Sequence, residues 1–257
     1  MSVVQATGTI PVPRAPEPGP ARPSRPVSPA GRAPSPCRAV AYQRVLHQMV
    51  RREWRMLGEL ATWAPAGDAE RTAILTRHAD LLGRVLLHHH AVERDAVWPA
   101  LLRATPGDRI GDVRAALDDW TARRARLDHM LRDIATAARQ WQVAGTAAAR
   151  DAFALACLDL ADAVDAHTAE EEAVLLPLLG DYLAPGDWAA IARSSRCRLS
   201  GREQLLVVGL ALEDTAAGDR ARLLSGLSPA TRMAWRVRGR RYHRAAVVRL
   251  RGAPPAP

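Results

Sequence analysis

The sequence predicts an all-α protein, an antiparallel up-down four-helix bundle followed by a small C-terminal helical extension. Three observations carry this. Apolar residues make up 48% of the 257 positions and are mostly Ala, Leu and Val, with aromatics at only 4%. That mixture suits helices better than sheets. Long stretches repeat apolar residues at helical spacing. Short breaks containing Pro or Gly separate them, and short connections between long helices make antiparallel neighbours.

The elements follow in order. Residues 1–36 hold ten prolines, beginning at Pro11, with Gly, Ser and Arg between them. Such a segment cannot bury enough apolar surface to fold and is expected to be a disordered leader. The first helix is expected over residues 40–62, closed by Pro65 and Gly67. The second runs over 69–104 and ends at Pro106-Gly107; the third covers 108–143; Gly145 separates it from the fourth, over 146–180. The bundle therefore occupies 37–180. Beyond Pro185 the helices are shorter. Ser200 and Glu203 have the spacing of a capping box, which opens a helix over Leu205 to Leu212. Ser228-Pro229 sets a cap before a helix-starting proline. This extension, over 181–252, is expected to pack on the bundle, and residues 253–257 to form a disordered tail.

Composition excludes several classes. The three cysteines are far apart, no CxxC pair exists, and an odd count argues against a disulfide framework. A reducing cytoplasm is the expected location. The N-terminus has no apolar signal-peptide core. The longest apolar run, about Leu205 to Leu212, falls far short of the ~20 residues that span a bilayer, so no membrane association is expected. The net charge is +9, all basic residues are Arg, and the excess reads as spread along the chain with a local concentration near the C-terminus. That Arg-rich stretch is expected to be a solvated basic helix, with Trp235, Val237, Val247, Val248 and Leu250 inward; the alternative weighed is electrostatic contact with nucleic acid or an anionic surface. No nucleophile elbow, phosphate loop or dinucleotide fingerprint is present, and no enzymatic activity is expected, with peroxide or nitric oxide chemistry at a metal site as the weaker alternative.

One phrase occurs twice. His89, Glu93 and Pro99 are spaced as His167, Glu171 and Pro177 are. At 3.6 residues per turn, His and the Glu four positions later share one helical face. Helical phase places both pairs inward. Leu75, Leu82, Val85, Leu86 and Ala96 share the arc of His89, and Phe153, Leu160, Val164, Val174 and Leu178 that of His167. His47 aligns with Val40, Val50, Trp54 and Ala61 and also faces in. Unpaired Glu is rarely buried, so two inward carboxylates call for a cation, and a metal supplies one. His88 and His90 point to either side of His89 and are expected either to support the site from behind its ligands or to lie at the surface. His78 is inward but ~16 Å along the axis from His89. Glu170 and Glu172 are expected to be solvated, and His243 carries no site signal. On the third helix the stripe is Val113, Trp120, Leu127, Leu131 and Ile134, and the position on it at the level of the pairs is Arg124. His129 faces away.

These residues resemble the hemerythrin-like, or HHE cation-binding, family. The match lies in "LHQMVRREWRML", "HHHAVERDAVWPAL" and "HTAEEEAVLLPLL", and "REQLLVVGLALED" and "WRVRGRRYHR" are similar to the C-terminal extension of bacterial members. The resemblance implies a bundle holding a non-haem di-iron centre that binds or senses oxygen, nitric oxide or iron. It implies His47, His89 and His167 as terminal ligands and Glu93 and Glu171 as bridges. The family usually adds a His from the third helix; here Arg124 stands there, and only a register shift would bring in His129. The alternative is a bundle with one metal or none, a structural or interaction module in which Arg124 neutralises the carboxylates.

Overall fold

The computed structural model describes residues 37–195 and 197–253. The expectations for the Pro-rich leader and for the last four residues fall outside the described residues. Every described element is helical. Four long rods form the bundle: α1 (Arg38–Thr62), α2 (Ala69–Val92) with its continuation, α4 (Ile110–Ala144) and α5 (Ala147–Tyr182). A π-helical turn, Glu93–Val97, joins α2 to the short α3 (Trp98–Ala104). In cyclic order α1 packs on α5, α5 on α4, α4 on α2 and α2 on α1, as an up-down bundle requires.

Local chemistry sets the turns. The Asp68 side chain accepts from the Arg71 N–H and opens α2. Gly145 takes the left-handed conformation, φ 60°, at the end of α4, and Thr146 then caps α5. The ladder widens just before Pro99, which has no N–H to offer it, and the Trp98 N–H donates to the Glu93 carbonyl; Pro177, at the same place in the second copy, lies within an unbroken α-helix, so the proline alone does not set the π turn. The extra residue shifts the inward face by one position: Val97 is buried where helical phase expected Ala96. On α5 the phase expectation also slips. Val174 is exposed, and Leu175, Leu176 and Leu179 fill the core.

The extension adds α6 (Pro185–Ser194), α7 (Gly201–Leu212), α8 (Ala217–Gly226), α9 (Pro229–Ala234), a second π turn (Trp235–Gly239) and α10 (Arg240–Arg251). The Ser200–Glu203 capping box forms as its spacing indicated. α10 lies on α7, and a Cβ on Gly209 would collide with the His243 ring, so only glycine allows this approach. His243 is therefore buried, contrary to its reading as a tail residue. Val237 and Val248, expected inward, are exposed, because the second π turn rotates the face and Val247 takes the inward place.

A buried ionic knot ties α10 to the bundle. Glu53 on α1 accepts from Arg251 Nη2 at 2.6 Å and pairs with His78 Nε2 at 3.0 Å. Arg251 Nη1 reaches Glu213 at 2.7 Å, which also pairs with His243 Nε2 at 2.8 Å. Burial opposes ionisation of both glutamates, but His78 against Glu53, His243 against Glu213, and the nearby arginines prevail and hold both below the ordinary range. Two apolar clusters fill the bundle. One is built around Trp54, Leu82, Trp141 and Phe153, the other around Val40, Trp98, Leu101, Trp120 and Leu179. α1 runs through both, with Ala39 and Val40 in one and Val45, Leu46, Met49 and Val50 in the other, and His47 lies buried on the same helix.

Candidate metal centre

Four side chains from three helices converge: His47 from α1, His89 from α2, Glu93 at the start of the π turn and Glu171 from α5. One ligand atom of each lies within 4.8 Å of the others. None is more than 4% exposed. His89 Nε2 lies 3.2 Å from Glu93 Oε1 and His47 Nε2 lies 3.2 Å from Glu171 Oε2. Gln43, one turn before His47, donates from Nε2 to Glu93 Oε1 at 2.8 Å. His47 Nδ1 faces Glu172 Oε1 at 3.1 Å, which fixes the ring and aims Nε2 at the cluster.

The buried atoms without hydrogen-bond partners concentrate here. They include Glu93 Oε2, both Glu171 oxygens, His47 Nε2 and both ring nitrogens of His167. Such orphans are costly unless a cation satisfies them. Burial first, and the Glu171 carboxylate second, push the Glu93 carboxyl well up. Burial would depress His47, but Glu171 and then Glu172 more than offset it and hold it up to about 9. Burial, reinforced by positive charge from neighbouring His47 and His90, drives His89 well down. Burial and the charges of His90, His47 and two arginines lower His167 to about 3. Burial thus favours the neutral form of His89 and His167, the form in which imidazole binds a metal.

His167 stands apart from the four. Its ring stacks on Trp120, centroids 3.5 Å apart and planes 20° from parallel. It is buried beside the His90 ring, 6.1 Å between centroids, and outside the convergent group. Arg124 is buried on the stripe of α4, as helical phase indicated. It forms no ion pair with Glu93 or Glu171 among the described residues; its Nη1 donates to the His90 carbonyl at 3.2 Å. The proposed neutralising contact is therefore not made directly, although the guanidinium charge favours ionisation of Glu93. His129 is two-thirds exposed, 3.5 Å from Asp133, and plays no part.

Three further residues support the site. His90, expected either to support the site from behind its ligands or to lie at the surface, takes the first place: it is buried beside His89 and pairs through Nδ1 with Asp128 Oδ1 at 2.6 Å. Glu172, expected in solvent, is half-buried against His47 and Arg51. Gln43 was missed although it lies four residues before His47, on the same helical face. Glu170 does lie at the surface, paired with Arg123.

Comparison with known proteins decides the family. The hemerythrin HHE cation-binding domain matches residues 38–179, more than half of the chain. The chain belongs to the hemerythrin HHE cation-binding family. No curated protein and no solved structure matches it. The HHE match spans α1 to α5 and contains all four convergent residues, together with His167 and Arg124. The extension from α6 onward lies beyond it. No helix among the described residues is long and apolar enough to cross a membrane.

Proposed function

We propose that this chain holds non-haem iron where α1, α2 and α5 meet and uses it to bind or sense a small diatomic ligand, oxygen or nitric oxide. The observation that supports the reading is the convergence of two imidazoles and two carboxylates within 4.8 Å in a buried layer, with Glu93 Oε2 and the Glu171 oxygens left without a hydrogen-bond donor. Mixed imidazole and carboxylate donors suit iron. Iron, when bound, supplies a redox-active ion with a position open to such a ligand. The protein residues do the rest. Glu93 and Glu171 provide the negative charge. Glu172 orients His47, which gives up its Nε2 proton to serve as a donor. Gln43 steadies Glu93. The enclosure favours a diatomic ligand over an organic substrate, and we read the role as binding or sensing, not turnover.

The donors favour two unequal positions. His47, His89, Glu93 and Glu171 form one complete set. A second ion, as in a di-iron centre, would share the carboxylates and add His167, with no histidine from α4 because Arg124 stands there. A single-ion centre is the second reading, favoured by the buried Arg124 guanidinium, whose charge favours ionisation of Glu93. Anaerobic titration with Fe(II), with metal per chain measured by mass spectrometry and a near-ultraviolet spectrum after exposure to air, tests both. One tight and one weaker equivalent support the unequal pair. Saturation at one supports the single-ion reading, and Arg124→His should then add a second equivalent. Fewer than about 0.2 iron per chain overturns the proposal.

A further inference from the structure

The charge of the chain is unevenly divided. Up to Asp219 there are 26 arginines against 27 acidic residues; from Arg220 onward there are ten arginines and no acidic residue. The entire positive excess belongs to this last segment, contrary to the expectation that it is spread along the chain.

The structure sets most of these arginines on one rod. α9, the second π turn and α10 run continuously from Pro229 to Arg251, a length of ~34 Å at 1.5 Å per residue. Trp235, His243, Val247 and Leu250 on one face are buried, and the rod packs on α7 and α2. Arg251, at the end, is committed to Glu53 and Glu213. Arg236, Arg238, Arg240, Arg241, Arg244 and Arg249 are exposed. None of the six side chains has a hydrogen-bond or ion-pair partner among the described residues. Of the acidic groups on the elements it packs against, Glu203 pairs with Arg84, Asp214 with Arg52, and Glu213 lies in the buried knot; at its end Arg71 donates to the Arg249 and Leu250 carbonyls, and the neighbouring Asp68 caps α2 while Glu70 has no ion-pair partner among the described residues.

We infer that the solvent-facing side of this rod, over which the six arginines spread, binds duplex DNA through its phosphates, without reading base sequence. Six guanidinium groups free of acidic partners, on a rod about as long as one turn of the duplex (~34–36 Å), complement a polymer with one negative charge per ~1.7 Å. Guanidinium also pairs with phosphate in bidentate fashion. A membrane surface suits the rod less well. An interfacial helix inserts its apolar face, and here that face is packed against the bundle.

Fluorescence anisotropy of a labelled 24-base-pair duplex, titrated with the full chain from 50 to 200 mM salt, tests this. With about five phosphates contacted, log K should fall with log salt at a slope of about −4.5, roughly a 500-fold loss over that range. The double variant R238Q/R241Q should shallow the slope by about two. R114Q/R126Q removes the same charge from exposed arginines of α4 and should leave the slope unchanged. Equal effects of both pairs would make the attraction one of net charge alone and overturn the inference. So would absence of binding at 50 mM salt, or binding to phosphatidylserine vesicles without binding to the duplex. Unchanged melting of the variants verifies that the fold is retained.

Discussion

Replacing Glu93 with Gln should move the stability of the apo chain and of the iron-loaded chain in opposite directions. Glu93 and Glu171 place unpartnered oxygens in a buried group no more than 4.8 Å across. At an effective dielectric of about 20, two full charges at that distance repel by about 3.5 kcal/mol. Proton uptake by Glu93, favoured by burial and by Glu171, relieves part of this, which leaves an expected gain of about 1–3 kcal/mol from neutralising it. The amide keeps the shape. Its oxygen still accepts from Gln43, and its new N–H donates toward Glu171. For a chain of this size the gain is a rise of about 2–12 °C in melting temperature. Iron reverses the order. At a hundred times its Kd, Fe(II) would add about 2.7 kcal/mol to the native chain, whereas E93Q loses a charged donor of the cluster and should gain little. Anaerobic scanning calorimetry at pH 7.5, with EDTA and then with Fe(II), reads both signs. An E93Q chain that melts below the native one in EDTA, or that gains as much from iron, would refute the argument.

Two further predictions concern the knot between Glu53, Glu213 and Arg251. Arg251→Ala leaves two buried carboxylates with less compensation and should cost about 3–5 kcal/mol, seen as a drop of about 6–20 °C in the melting temperature; a change under about 2 °C would show that the knot is not what holds α10. Glu53 sits below its ordinary value of 4.5 in the folded chain, so its contribution is complete above that pH and is lost as pH falls through the folded value. The melting-temperature gap between the native chain and E53Q should therefore narrow from pH 5 to pH 3, and a constant gap would refute the assignment.

The bundle was legible because periodicity and breakers are local signals. Leu75, Leu82, Phe153 and Leu160 announce their faces through neighbours on the same helix, and Gly145 and the Ser200 capping box announce ends. The inward placing of His47, His89, Glu93 and Glu171 followed from the same arithmetic. Errors arise where the 3.6-residue period fails or where a partner comes from far away. The two π turns moved Ala96 and Val237 out of their expected faces, and only the proline at 99 hinted at the first. Glu172 and His243 read as surface because their partners His47 and Glu213 are 125 and 30 positions distant. No periodicity on one helix reports such pairings.

The doubled phrase itself shows how context divides equal sequences. In the first copy His and Glu both reach the cluster; in the second only Glu171 does. His89 and Glu93 straddle the entry to the π turn, where the Glu93 N–H is shared between the His89 and His90 carbonyls. His167 stands on an uninterrupted α-helix and meets Trp120, whose indole plane covers its ring. Trp120 and Arg124 are one turn apart on α4, so a single helical face decides both differences: it offers a stacking surface in place of a histidine ligand and a fixed cation near Glu93. A fixed positive charge weakens attraction for any second cation, while leaving the donors of the first position untouched. The face of α4 that carries Trp120 and Arg124 therefore acts on one side of the cluster only, which is why the two halves of a symmetric sequence pattern are expected to differ in affinity.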